Sequence, residues 1–427
     1  MATPTLRVTG ATKRRLLDSI SFSGAGFLGC SHMGAASALL GQGYLLRPGD
    51  SPLLDEDVAS VVNEPSSSSA TSSYPALKAP PILTGVSAGS IVSAALSAGV
   101  RTDDGMDTLL QIAKRTRDKG GSLDVLRPGF SLVDQVEDLL LLNMKRALGG
   151  TGESASDYDK ELWTKRIAGG RLLRIGLTDY RLLTPGGVAR DVPEAYRYID
   201  QYRDVDDAVA ACILSSYIPG ATGTLRGAQC PMNTSVRDSW ARVHAMESLG
   251  YVKDGKTGQP IRSTASAESD EAEKTRDLYY WDGGLADVFP TIDEETLIVS
   301  PINGHYTNPS ISPSMPDIDQ EPSLEIAARD RTAFNERTNQ ALPNDGTTQI
   351  VGQAFASLIL QRALGMIPTT VQGHAKASFG LNAQNADTLR RMMWSSDDAI
   401  LEERYKSGHD DAMRFLREKD LLTTYRG

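Results

Sequence analysis

The sequence predicts an α/β protein, with a largely parallel sheet, helices on both faces and a helical tail. Three observations carry this expectation. Short apolar runs alternate with helix-period segments through residues 16–310, the pattern of successive β-α-β units. Two Gly-rich turns, at residues 24–29 and 85–89, each join an apolar run to a small-residue helix. Beyond about residue 310 the texture changes: Pro309, Pro313, Pro316 and Pro322 mark a linker, and helix-period segments follow it.

Taken in order, residues 16–22 are a short strand and residues 30–40 a helix, with Gly34, Ala35 and Ala38 suited to close packing on a sheet. Gly41 and Gly43 offer its stop. Residues 48–81 carry Pro, Asp and a serine run and read as a solvated insertion. Residues 82–84 are a strand remnant and 91–98 a helix. Residues 104–119 and 131–148 are amphipathic helices, 171–179 a strand, and 204–216 a helix. Residues 253–277 are polar and charged, the composition of a long loop. Residues 278–281 and 296–300 are strands. In the tail, residues 347–365 and 396–420 are helices, and the tail is expected as a separate element.

Length and composition bound the function. At roughly 100–200 residues per domain, 427 residues allow two or three domains, or one large α/β domain with an appendage. Apolar residues at 40% and charged residues at 23% exclude global disorder, collagen-like repetition and a coiled-coil rod. A formal charge of −10 argues against a nucleic-acid partner. Three cysteines, Cys30, Cys212 and Cys230, form no disulfide framework and fit a reducing, cytoplasmic setting. Residues 1–19 are polar and basic, with Lys13, Arg14 and Arg15, and lack the apolar stretch of a secretory signal. The longest apolar candidate, residues 86–100, is interrupted by Ser and Gly. A spanning helix is therefore not expected, and any membrane contact is peripheral.

The chemistry concentrates in three places. Gly85-Val86-Ser87-Ala88-Gly89 matches the nucleophile elbow, in which a serine stands on a sharp strand-to-helix turn. The flanking glycines remove side chains that would collide there, and the helix N-terminus beneath favours developing negative charge. Gly24-Ala25-Gly26-Phe27-Leu28-Gly29 has three readings: a dinucleotide fingerprint, an oxyanion hole or a structural turn. The first wants an acidic residue at the end of the next strand, yet Asp50 lies in a turn. The chain order, Gly loop first and serine elbow later, suits the oxyanion hole. Asp282-Gly283-Gly284 ends an apolar strand, unlike the Asp-Gly pairs at Asp104, Asp254 and Asp345. An aspartate held within hydrogen-bond reach of a serine, with its acidity lowered by burial, can take the hydroxyl proton. Among the histidines, His305 and His374 fall where a Ser-Asp-His order would place a base, whereas His32 packs or faces solvent. No Cys/His spacing suggests a metal site.

Together, residues 21–29, 85–89 and 282–284 resemble the patatin-like phospholipase domains. The closer likeness is to the branch containing adipose triglyceride lipase and adiponutrin. Further segments agree: residues 128–132, Cys212-Ile213-Leu214-Ser215-Ser216-Tyr217-Ile218-Pro219, residues 282–290 with 298–301, and residues 405–422. The resemblance covers about residues 15–310 plus a block near the C-terminus. It implies a three-layer αβα catalytic domain over residues 15–310, with residues 311–427 as linker and helical region. It implies a Ser-Asp dyad, with Ser87 as nucleophile, Asp282 as base, and Gly24, Ala25 and Gly26 at the oxyanion hole. Ala25 departs from a plain glycine triplet, and Leu28 stands where plant patatins carry a basic residue.

The implied activity is hydrolysis of glycerolipid acyl esters without metal or organic cofactor. Transfer of the acyl group to another acceptor is a variant of the same chemistry. The implied setting is cytoplasmic, at a lipid droplet or membrane surface, with room for a protein co-activator that the sequence does not identify. Two alternatives stand beside it. One is a Ser-Asp-His esterase using His305; the other is a lipid-surface scaffold with a slow or vestigial elbow. In residues 347–365, Val351, Phe355, Leu358, Ile359 and Arg362 fall on one helical face, a candidate lipid-facing element, although such apolar stripes more often pack on a core.

Overall fold

The computed structural model describes residues 17–45, 81–118, 132–151, 157–168, 172–182, 192–218, 222, 234–261, 279–314, 377–378, 383–393 and 396–422. The insertion at residues 48–80, the helix expected at 347–365, Lys13 to Arg15, residues 128–131, Cys230 and His374 lie outside them.

The chain alternates as the sequence predicts. Strand β1 (Ser19–Phe22) leads through the Gly loop into helix α1 (Gly29–Gly41). Strand β2 (Ile82–Gly85) leads into α2 (Ala88–Ala98). Helices α3 (Thr102–Asp118) and α4 (Leu132–Ala147) follow, then β3 (Leu173–Asp179), β4 (Tyr196–Ile199) and α5 (Val205–Ser215). After α6 (Thr234–Ser248) come β5 (Val252–Asp254), β6 (Tyr280–Asp282), β7 (Leu297–Val299), β8 (His305–Tyr306) and β9 (Ser310–Ile311). The last elements are β10 (Ala377–Ser378), α7 (Ala383–Met393) and α8 (Asp398–Glu418).

The main sheet has eight strands in the order β5-β4-β3-β2-β1-β7-β9, with β6 also paired to β3. Pairings β1–β2, β1–β7, β2–β3 and β7–β9 are parallel. Pairings β3–β4, β4–β5 and β3–β6 are antiparallel. The sheet is thus mixed and mostly parallel, with helices packed on it, as the α/β expectation has it. Ile20, Phe22, Leu173, Ile175, Leu177 and Leu297 are buried in one core with the inner faces of the helices.

Several elements differ from the expectation. Residues 253–261 are not loop: β5 and a tight turn occupy them, pinned by Lys253 pairing with Pro260. Strand β4 carries Arg197 and β5 carries Lys253, charges that argue against buried strands. Each is neutralised in place, Arg197 by Asp254 at 2.7 Å and Lys253 by Asp200 at 2.7 Å. Helix α6 buries Val236, Trp240, Val243 and Met246 against α5, a stripe at helical spacing that the sequence reading passed over. Ser310 and Ile311, expected at the head of a linker, form the edge strand β9.

The tail helix does not stand apart. Helix α8 lies along α1, and glycines set their approach. A Cβ on Gly34 would fall 1.9 Å from the Tyr405 carbonyl oxygen, and one on Gly408 would fall 2.1 Å from that of Ser31. Leu401 of α8 is buried with Phe27 and Leu28 of the Gly loop and with Cys30 just after it.

Overpacking at such a contact costs about 1–3 kcal/mol. Gly34→Ala is therefore expected to lower stability by roughly that amount in urea unfolding. Gly41 sits on the same helix with nothing within 4 Å of its would-be Cβ. Gly41→Ala is expected to be neutral or slightly stabilising, and equal midpoints for the two variants would refute the close α1–α8 contact.

Candidate active site

The site forms where two strands meet head-on along β3. Strand β2 pairs with β3 up to Gly85 opposite Ile175. Strand β6 runs the other way and ends with Asp282 opposite Leu177. Strand β4 already occupies the far side of β3 at Leu177 and Thr178. Strand β6 therefore continues the lane of β2, and the C-terminal ends of the two point at each other across Gly176. Glycine is required at that crossing. A Cβ at Gly176 would lie 2.6 Å from Val86 Cγ1, and one at Gly283 would lie 2.3 Å from the Gly176 carbonyl oxygen.

Ser87 sits on the turn from β2 into α2 with φ 52° and ψ −132°. A non-glycine residue in such a region stores strain of about 1–3 kcal/mol and occurs mostly at functional sites. The glycines of the elbow explain themselves sterically. A Cβ at Gly85 would lie 2.3 Å from the Gly89 carbonyl oxygen, and one at Gly89 would lie 2.1 Å from that of Phe22. The elbow is thus wedged against β1. The Ser87 N–H donates to Ser215 at the end of α5, to its carbonyl oxygen at 3.1 Å and to its Oγ at 3.0 Å.

Asp282 is 4% exposed. Its carboxylate accepts from the Gly284 N–H at 2.7 Å and faces the Ser87 side chain, which favours its charged form. Its backbone is held twice, by Asp282 N–H donating to the Tyr217 carbonyl at 2.9 Å and by Thr178 Oγ1 donating to the Asp282 carbonyl at 2.7 Å. Burial pushes the carboxyl from its ordinary 3.8 up to about 7, against the lowering effect of the Ser87 side chain and the Gly284 N–H. Three other buried carboxylates face cations: Asp179 meets Arg181, Asp200 meets Lys253, and Asp207 meets Arg203 and Arg242; Glu247 accepts from the Tyr279 hydroxyl beside His244. Asp282 meets a hydroxyl and an amide instead, the environment of a proton acceptor near neutral pH.

The Gly loop lies beside this pair. A Cβ on Gly24 would be 3.7 Å from Ser87 Cβ. The Gly24 N–H donates to the Val288 carbonyl at 3.3 Å. The next two amides, of Ala25 and Gly26, are then the candidate donors to an oxyanion. Gly26 has φ +52°, and its would-be Cβ would meet the Met392 carbonyl oxygen of α7 at 1.9 Å. Ala25 is buried and Gly26 exposed, so the loop has one face in the core and one at the surface.

The histidines stay out of this arrangement. His305 is exposed on β8, paired with Ser378 in a two-stranded ribbon outside the main sheet. His32 is fully buried on α1, edge-on to Phe22, with Nε2 3.4 Å from Ser23 Oγ. Burial pushes its imidazole down to about 3, so it is neutral at physiological pH. Among the described residues, no group of three His, Cys, Asp or Glu is placed to hold a metal ion. Sequence reasoning missed Gly176, Thr178, Ser215 and Tyr217 as framing residues. Residues 212–219 stood out only by resemblance, and the Thr178 signal was its place at a strand end.

The acidity of Asp282 has a stability signature. Between pH 3.8 and about 7 the folded protein keeps a proton that the unfolded chain has released. The contribution of this carboxyl is therefore fully present below the lower value and lost as pH rises through the upper one. Asp282→Asn is expected to gain stability over the parent protein as pH is raised from about 4 to about 8, followed by urea unfolding. Parallel curves would show that Asp282 titrates normally in the fold.

Compared with known protein families, residues 20–293 match the family described as patatin-like phospholipase. The match spans more than half of the 427 residues, and the chain belongs to that family. No curated protein and no solved structure matches the chain. Membership implies a serine acyl hydrolase acting on lipids.

Proposed function

We propose that this patatin-like phospholipase family member hydrolyses glycerolipid acyl esters through a Ser87–Asp282 dyad. The observation that carries the reading is a buried carboxylate that faces the Ser87 side chain and no cation. Asp282 takes the Ser87 proton as Oγ attacks the ester carbonyl. The tetrahedral oxyanion is received by the amides of Ala25 and Gly26, with Gly24 shaping the loop beside them. The N-terminus of α2 beneath Ser87 adds a favourable field. Asp282 then gives the proton to the leaving alcohol, leaving an acyl group on Ser87. Water, or an acceptor alcohol in the transacylase variant, repeats the sequence in reverse order.

The finer assignment rests on sequence likeness. Residues 128–132, 212–219, 282–290 and 405–422 favour the triglyceride-lipase and adiponutrin branch, and hence triacylglycerol or phospholipid as substrate. Residues 15–310 are the catalytic unit in this reading, and residues 311–427 the linker and helical region. Access is peripheral, at a membrane or lipid-droplet surface facing the cytoplasm. Among the described residues no helix is long and apolar enough to cross a membrane.

The test is fatty-acid release from triacylglycerol emulsions and phosphatidylcholine vesicles by the purified chain. Ser87→Ala and Asp282→Asn are each expected to lower the rate by about a thousandfold or more. Retained activity in Ser87→Ala would sink the mechanism. His305→Ala is expected to keep near-normal turnover; an inactive variant would point to a histidine base. A base must be unprotonated, so activity limited by Asp282 is expected to rise with pH to a plateau, with its midpoint at about 7. A midpoint near 4 would assign the ionisation elsewhere.

A further inference from the structure

We propose that Ser215 is a positioning residue for the reaction, its hydroxyl locking the Ser87 backbone in the orientation that aims Oγ at Asp282. The inference deepens the dyad reading and rests on it. Ser215 is fully buried at the end of α5. Its Oγ accepts the Ser87 N–H at 3.0 Å and donates to the Gly176 carbonyl at 2.6 Å. One hydroxyl thus ties the elbow to the β3 residue across which β2 and β6 meet. Its own carbonyl is a second acceptor for the same N–H, at 3.1 Å.

Two residues on, the Tyr217 carbonyl accepts the Asp282 N–H at 2.9 Å. The end of α5 therefore grips the backbones of nucleophile and base together, and their separation is set by a stretch of three residues. Thr222 anchors that stretch: its Oγ1 accepts from Ile218 N–H at 2.8 Å and donates to the Ser216 carbonyl at 2.5 Å. The strained φ of Ser87 is maintained only while surrounding contacts over-determine it. Loss of the Ser215 hydroxyl leaves the Gly176 carbonyl without this donor and the Ser87 N–H with one acceptor in place of two. The elbow is then free to turn, and Oγ swings off the line to Asp282. Ser215 acts through Ser87 in this scheme and touches no substrate.

Ser216 supplies an internal control. It is also buried, and its hydroxyl has no hydrogen-bond partner among the described residues. The experiment titrates active sites with a serine-directed phosphonate, then measures p-nitrophenyl butyrate turnover per titrated site. Ser215→Ala is expected to lower kcat per site about tenfold or more with KM little changed, since small misplacements of reacting groups cost this much. Ser216→Ala is expected to keep full turnover per site whatever its Tm. Ser215→Thr, which restores a hydroxyl, is expected to recover most of the loss.

Full per-site turnover in Ser215→Ala overturns the proposal, as does an equal loss in Ser216→Ala, which would reveal a general packing effect. Where Ser215→Ala does not fold, Ser215→Cys carries the same criteria, because its thiol matches the size but accepts poorly. Ser87→Ala separates the two levels. Activity there overturns the dyad itself, whereas an inert Ser87→Ala beside a fully active Ser215→Ala overturns only the role of Ser215.

Discussion

Two strand ends meeting on one side of β3 are the constraint on which the rest of the site depends. Strand β2 stops at Gly85 opposite Ile175 and β6 stops at Asp282 opposite Leu177, so a single residue of β3, Gly176, spans the gap. Nothing larger than hydrogen fits at Gly85, Gly89, Gly176 or Gly283 without backbone or neighbouring side chains giving way. At these positions glycine serves close approach. The hydroxyl and the carboxylate are brought together by steric exclusion from both sides, and the hydrogen bonds at Ser215, Tyr217 and Thr178 then hold what sterics allow.

The same enclosure sets the electrostatics. A carboxylate in a dry site costs free energy unless it is paired, and this fold pairs Asp179, Asp200 and Asp207 with cations. Asp282 has only a hydroxyl and a backbone amide; burial outweighs their lowering effect and raises its proton affinity toward neutrality. A cation beside it would stabilise the fold and remove the base of the proposed dyad. The stability cost and the chemical use of this group are therefore one effect seen twice.

The C-terminal helices belong to this argument. Helix α8 is seated on α1 by backbone contacts at Gly34 and Gly408, and the Met392 carbonyl of α7 closes on Gly26. Helix α1 begins where the Gly loop ends, so the tail braces the loop from outside while β1 braces it from within. A chain cut after the last strand of the sheet would expose the small-residue face of α1 and the apolar cluster at Phe27, Leu28 and Cys30.

Much of this was legible in the chain. Glycine spacing around Ser87, the Gly loop before it and a strand-ending Asp282 are local patterns, and each encodes its own turn geometry. Periodicity marked α3 and α4 because their buried faces repeat along a single helix. Strands β4 and β5 were hidden, since Arg197 and Lys253 look solvated until Asp254 and Asp200 arrive from elsewhere in the chain. Helix α6 carried its stripe in plain sight, but polar neighbours diluted it. The sequence by itself determined which residues are candidates for acyl chemistry and where the chain must turn. Tertiary structure alone decided that Asp282 meets Ser87 without a cation, that Ser215 holds the elbow, and that the tail joins the body. Those outcomes depend on distances between residues far apart in the chain, and such distances exist only once the sheet order is made.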